Sequence, residues 1–212
     1  MRELPILFTT FSVLGMLARR KTQTRRLIKL QPVKWDTVKR KPFSREDMPR
    51  VWSPLTGHSE DRICPYGVGQ RLWVRETTES YRLPILFTGE PSNAVGGRYV
   101  ADKEPVLNEH GFDFAWWHSK PRCPAIFMPR YACRITIKVT RVGVERVQDI
   151  SVEDCIAEGC TTKLREQEAC DELRDQYHRI WDAINGASGA NSWEANPWVW
   201  VFTFLVDEVR GG

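Results

Sequence analysis

Apolar and polar positions divide this chain into short periodic segments separated by two long aperiodic ones. Leu4-Pro-Ile-Leu-Phe8 predicts a first strand, ended by Thr9 and Thr10. Phe11, Leu14, Leu17 and Ala18 recur at helical spacing and predict one amphipathic helix over 11–20. Thr10 or Ser12 would cap it, and Gly15 weakens it slightly. Tyr66-Gly-Val-Gly69 reads as a turn, and Gln70 to Glu76 as a strand with Leu72 and Val74 on one face. Ala132 to Val142 alternates most cleanly. Ile135, Ile137 and Val139 point one way, Thr136, Lys138 and Thr140 the other, and Val144 to Val147 extends this strand or pairs with it. Ser151 is placed to cap a short helix that stops at Gly159, with Asp154 at its third position, close to a capping box. Leu164 to Ile184 predicts a longer helix with Leu173, Tyr177, Ile180, Trp181 and Ile184 as its buried stripe, ended by Asn185-Gly186. Pro197 to Val209 predicts a final strand. Its run Trp198 to Val206 is apolar on both faces, which suits the middle of a closed or covered sheet.

The aperiodic stretches are 30–66 and 82–115. Five prolines and many charges mark the first as a surface insertion with room for one short hairpin. The second holds Pro84, Gly89, Pro91, Gly96, Gly97, Pro105 and Gly111, with short strands expected near 84–88 and 97–101. Trp116, Trp117 and Met128 are expected to pack over the core. The order is strand, helix, insertion, strand, insertion, strand, helix, helix, strand. There is no internal repeat, Gly-x-Gly-x-x-Gly, Walker A loop or His-Glu-x-x-His. The expected class is α+β, a small mixed β-barrel with flanking helices rather than a doubly wound sheet.

At 212 residues and 42% hydrophobic content, one domain spanning 1–212 is expected. No apolar run approaches the roughly 18 residues of a membrane span. The apolar run Pro5 to Ala18 is broken by Thr9, Thr10 and Ser12 and followed by arginines, which argues against a signal peptide. Six cysteines without a Cys-x-x-Cys pair are then expected as reduced thiols in a cytoplasmic protein. His118 with Cys123, or Cys155 with Cys160, lacks the spacing of a standard zinc finger, so no metal and no cofactor is expected. His58, His110, His118 and His178 receive no role.

Charge alters this picture. The net charge is only +4, yet residues 19–50 hold twelve Lys or Arg against Asp36, Glu46 and Asp47. Such a local basic field suits a phosphate backbone. Trp35, Trp52 or Trp117 could stack a base. The segment opens with Ala18-Arg-Arg-Lys-Thr-Gln-Thr-Arg-Arg26, in which Lys21 and Thr24 stand three apart. On a helical turn that spacing sets an amine beside a hydroxyl. Arg19, Arg20, Arg25 and Arg26 surround the pair, a crowding of like charge that a surface helix does not need but an anionic ligand would use.

These stretches resemble the ASCH superfamily, in particular its longer members from phages and prophages. The resemblance rests on Lys21, Thr24 and Arg26, on Gly69-Gln-Arg-Leu-Trp-Val-Arg-Glu76, on Phe127-Met-Pro-Arg130 with the strand that follows, on Ile150 to Gly159, and on Asn196-Pro-Trp-Val-Trp200. It runs through nearly the whole chain in order. Two positions depart from the pattern: Arg19 stands where the family has glycine, and Gln70 where it often has aspartate. A side chain at position 19 must avoid positive φ or bear the strain.

The resemblance implies a PUA-like β-barrel and a hydrolase of the kind that removes the acetyl group from N4-acetylcytidine. It implies Thr24 as nucleophile, Lys21 as its base and Glu158 as the acid that protonates the leaving amine. The chemistry asks for this: a threonine hydroxyl needs a neighbouring base, and a lysine serves only when burial or adjacent cations lower its pKa. Arg26 would hold substrate or an oxyanion. Arg20, Arg25, Arg75 and Glu76 complete the substrate or nucleic-acid binding candidates, with a salt bridge from Glu76 to Arg26 or Arg75 as the structural alternative. The expected partner is a nucleoside or RNA. Other readings are a non-catalytic RNA-binding module, a single-strand ribonuclease, or a phage-encoded protein that binds a host partner.

Overall fold

The computed structural model describes residues 3–29, 31, 51–52, 59–60, 64–83, 94–164 and 166–210. Strands β1 (Leu4–Leu7), β2 (Gln23–Leu27), β3 (Val51–Trp52), β4 (Ser59–Glu60), β5 (Arg71–Arg75), β6 (Thr78–Arg82), β7 (Val95–Tyr99), β8 (Arg122–Cys123), β9 (Ile135–Arg146) and β10 (Trp198–Val209) accompany helices α1 (Thr10–Leu17), α2 (Val152–Ala157) and α3 (Glu166–Asn185). The fold is α+β. The strand orders are β1-β5-β9-β10-β2, β3-β4 and β7-β6-β8, and no sheet of the described residues closes on itself. The chain forms two compact units: 1–18, 71–137 and 206–212 make the first, 19–70 and 138–205 the second.

In the first unit β1 lies parallel to β5, with Leu4 opposite Leu72 and Leu7 opposite Arg75. Helix α1 is capped by Thr9, whose hydroxyl accepts from the Ser12 N–H, one residue earlier than the sequence pattern suggests. Strand β6 pairs with β7 and β8; its Thr-Glu-Ser-Tyr-Arg run escapes prediction because it alternates without a hydrophobic face. Trp73, Tyr99, Val106, Met128, Ala132 and Cys133 form the core here, with Phe114 and Trp117 packed against it. Trp116 and Trp117 lie hard against Gly97 of β7. A Cβ there would sit 2.6 Å from Trp117 Cζ3 and 3.2 Å from Trp116 Cε3.

In the second unit β10 runs antiparallel to β2, with Thr24 opposite Phe202. As its two apolar faces require, β10 stands between two neighbours, β9 and β2. Val144 to Val147 continues β9 up to Arg146 rather than forming a separate strand. Val147, Ile150, Cys155, Cys160, Leu173, Tyr177, Trp181 and Val199 form this core. Ile184 is 53% exposed and drops out of the expected stripe of α3. The short pair β3–β4 lies in the first insertion. At 67–70 the Gln70 N–H reaches the Gly67 carbonyl at 3.1 Å, and Gly69 takes φ +81°, as a type II turn demands. The strand expected near 84–88 and most of the insertion at 30–66 fall outside the described residues.

Candidate active site

The site begins with how α2 ends. Ser151 accepts from the Asp154 N–H at 3.1 Å and starts the helix. Gly159, at φ +103°, stops it. The Gly159 N–H bonds the Ile156 carbonyl at 2.8 Å and the Cys160 N–H the Cys155 carbonyl at 3.0 Å, a Schellman close. Three consecutive carbonyls beyond the last turn still need donors. The chain at 20–22 supplies them: Thr22 N–H bonds Ala157 at 2.8 Å, Lys21 Nζ bonds Glu158 at 2.7 Å, and the Arg20 guanidinium bonds Gly159 at 3.2 Å. This segment therefore lies across the end of α2, and that contact joins Lys21 to a residue 137 positions away.

The Lys21 ammonium also donates to Glu158 Oε2 at 2.5 Å, with both side chains buried. Burial pushes the Lys21 amine below the usual lysine range. The Glu158 charge and hydrogen bond oppose this, and Arg26 adds to it. Arg25, on β2, takes the other side of the same carboxylate, with one guanidinium nitrogen 3.2 Å from Glu158 Oε1. Its remaining donors reach Glu145 Oε1 at 2.7 Å and Asp154 Oδ2 at 2.8 Å. Gln23 bridges Arg25 and Asp154. Burial opposes the Arg25 charge, but Glu158, with Tyr177, Glu145 and Asp154, outweighs it and holds the guanidinium protonated. Arg25 thus fixes Glu158 from inside the fold; its donors are spent on carboxylates rather than turned outward to a polyanion.

Thr24 is buried at 2% exposure, but on a strand and not a helical turn. Alternation sends Gln23 and Arg25 to one face of β2 and Thr24 and Arg26 to the other. The i, i+3 argument for Lys21 and Thr24 therefore fails: Lys21 reaches Glu158 through the bend before the strand. Burial depresses the basicity of Arg26, with Glu158, Tyr66 and Tyr177 acting in the opposite direction. Burial, with the Glu158 charge, keeps the Tyr177 phenol protonated far above its normal range, against the opposing pull of Arg25 and Arg26.

Arg19 has φ +57°. It occupies the position after the C-cap of α1, where glycine serves best. The turn keeps its left-handed shape, and arginine carries the strain.

A cavity of about 230 Å³ opens beside this network, walled by Gln23, Arg141, Glu145, Ser151, Asp154 and Thr203 among others. It borders the carboxylates that hold Arg25; Lys21, Thr24 and Glu158 are not among its walls. Gln23, Glu145 and Asp154 were missed from the sequence. Strand periodicity would have put Gln23 with Arg25, and Glu145 is the one acid in β9.

Arg75 and Glu76 belong to the first unit. Arg75 stacks on Trp73, with its guanidinium carbon 4.8 Å from the ring centroid. Glu76 is 2% exposed, and both its oxygens bond Arg134 at 2.9 Å, while Arg134 also reaches Asp102 at 2.6 Å. Burial raises the Glu76 pKa and Arg134 counters it. Its salt bridge is structural, as one reading held, but with Arg134 in place of Arg26 or Arg75.

The six cysteines are all free thiols. Among the described residues no cluster of three His, Cys, Asp or Glu could hold a metal ion, and no helix is long and apolar enough to cross a membrane. No family model, curated protein or solved structure matches the chain.

Proposed function

We propose that the chain is an ASCH-type amidohydrolase that removes an acyl group from the exocyclic nitrogen of a modified cytidine. The reading carries with it a PUA-like barrel and a cytoplasmic, phage- or prophage-derived setting, and it takes its residue roles from the resemblance. The observation that supports it is the buried Lys21–Glu158 contact at 2.5 Å. Burial moves the amine's basicity down, the direction a lysine general base requires.

A proton passes from the Lys21 ammonium to the Glu158 carboxylate, leaving a neutral amine and a carboxylic acid. Lys21 takes the Thr24 hydroxyl proton as Thr24 Oγ bonds to the acyl carbon. The tetrahedral adduct collapses, the C–N bond breaks, and Glu158 gives its proton to the departing amine. The pair is then back to ammonium and carboxylate. Water repeats the cycle on the acyl-threonine: Lys21 takes the water proton, Glu158 returns one to Thr24 Oγ, and the carboxylic acid leaves. Substrate binding must bring the Thr24 hydroxyl to Lys21, since catalytic hydrogen bonds often tighten only in the complex.

A second reading has its own observation. Arg20, Lys21 and Thr22 satisfy three carbonyls at the end of α2, a role that needs no chemistry. It favours a non-catalytic, RNA-binding PUA-like module. Purified protein with N4-acetylcytidine, as nucleoside, nucleotide and in RNA, separates the two. Deacetylation by wild type and its loss in Lys21→Ala is the expected result. No deacetylation of any of the three by wild type removes the enzyme reading.

A further inference from the structure

Six rings run in an unbroken series through the first unit: Phe114, Tyr131, Trp117, Trp116, His118 and Phe127. Successive centroids are 4.7, 5.9, 4.9, 6.3 and 6.0 Å apart. The inner members are fixed. Trp116 and Trp117 press on Gly97, and the Trp116 indole N–H donates to the Lys120 carbonyl at 2.9 Å. Two members are open: Phe127 is 63% and Tyr131 48% exposed. Rings held this way lose little freedom when something stacks on them. An exposed aromatic patch of this size is more than a core needs, and such patches mark interaction sites.

Charge identifies the occupant. From Phe114 to Val144 the chain has no Asp or Glu, while Lys120, Arg122 and Arg130 flank the rings. Lys120 and Arg122 are exposed, and Arg130, tied to Glu3 at 2.6 Å, lies over Trp73. Single-stranded nucleic acid offers a flat π face and a phosphate at every nucleotide, whereas a duplex hides the faces. Of the carboxylates beside the patch, Glu3 is held by Arg130, and Glu79, opposite Arg122, is held by Arg98 and Lys103, so Lys120 and Arg122 leave the patch net basic.

We infer that the ring series is a stacking platform for single-stranded nucleic acid, with Phe127 and Tyr131 receiving bases and Lys120 and Arg122 the backbone. This goes beyond the hydrolase reading and does not depend on it. It also assigns binding to residues other than the basic segment 19–50, most of which lies outside the described residues.

The test is fluorescence anisotropy with a labelled oligouridylate of about twelve nucleotides. Phe127→Ala and Tyr131→Ala should each weaken binding roughly five- to 150-fold, and Tyr131→Phe should preserve it. Charge reversal at Lys120 and Arg122 should weaken binding and flatten its dependence on salt. Both rings are exposed, so the variants should keep their circular dichroism and melting temperature. Lys21→Ala should bind the oligonucleotide as wild type does, and Phe127→Ala should deacetylate the nucleoside at the wild-type rate. The inference is overturned by three results: no binding at low salt, binding indifferent to both ring deletions, or a duplex bound as tightly as the single strand. Self-association lost in Phe127→Ala with no oligonucleotide binding would assign the platform to a second copy of the chain instead.

Discussion

Lys21→Met tests the buried pair most directly. The substitution keeps an unbranched apolar stem and removes the ammonium, leaving Glu158 buried with its carbonyl and one carboxylate oxygen unpaired by Lys21. Breaking a buried ion pair costs about 3–5 kcal/mol when the remaining charge is uncompensated. Here Arg25 stays 3.2 Å from Glu158 Oε1, which holds the electrostatic part near or below the bottom of that range. The orphaned carbonyl adds about 1–3 kcal/mol. A total near 3 kcal/mol should lower the urea midpoint by about 1–2 M at an m-value of about 2 kcal/mol/M. Glu158→Gln strands the two cations instead. Since both substitutions break one contact, the double variant should cost less than their sum by about 1–3 kcal/mol. A loss below about 0.5 kcal/mol for Lys21→Met, or strict additivity in the double variant, would refute the pair and the proton path drawn through it.

Because the folded pKa of Lys21 lies below the unfolded value near 10.5, the unfolded chain binds more protons between the two. Wild-type stability relative to Lys21→Met should therefore rise with pH up to about 10.5 and be lost as pH falls through the folded pKa, as read from urea midpoints across alkaline pH. Arg19→Gly should raise the melting temperature by about 1–4 °C, because relief of about 1–2 kcal/mol of left-handed strain exceeds the added unfolded-state entropy of glycine. Arg19→Ala should change little, and an equal gain from both would show that the strain is not the cause. Glu76→Gln should destabilise by about 3 kcal/mol, because Arg134 is left buried with Asp102 as its remaining carboxylate. Its nucleoside affinity, measured on folded protein, should match wild type.

Sequence pattern locates an element where one face is apolar and its ends are marked. Strand β9 is read from Ile135, Ile137 and Val139, the place of β10 from its two apolar faces, and α2 from Ser151 and Gly159. Strand β6 is hidden because Thr78, Glu79, Ser80, Tyr81 and Arg82 show no hydrophobic alternation; it is held by ladders to β7 and β8 instead. Ile184 misleads for the opposite reason. It keeps the helical period, but α3 has reached its last turn and the core no longer extends beneath it.

The candidate site divides along the same line. Lys21 and Glu158 are legible as residues of a pattern, yet their contact depends on a device that periodicity does not carry. A six-residue helix ends in a Schellman turn and needs donors for its last carbonyls, and the bend after α1 delivers them. That bend requires a left-handed residue, so the unusual Arg19 and the Lys21–Glu158 contact belong to one local problem. Solving it brings in Arg25, which a reading by charge places on an anion-binding rim. On the strand it points inward with Gln23, and three carboxylates hold it there. The arginines of this segment therefore do different work. Arg20 caps, Arg25 braces Glu158, and Arg26 lies on the strand face of Thr24.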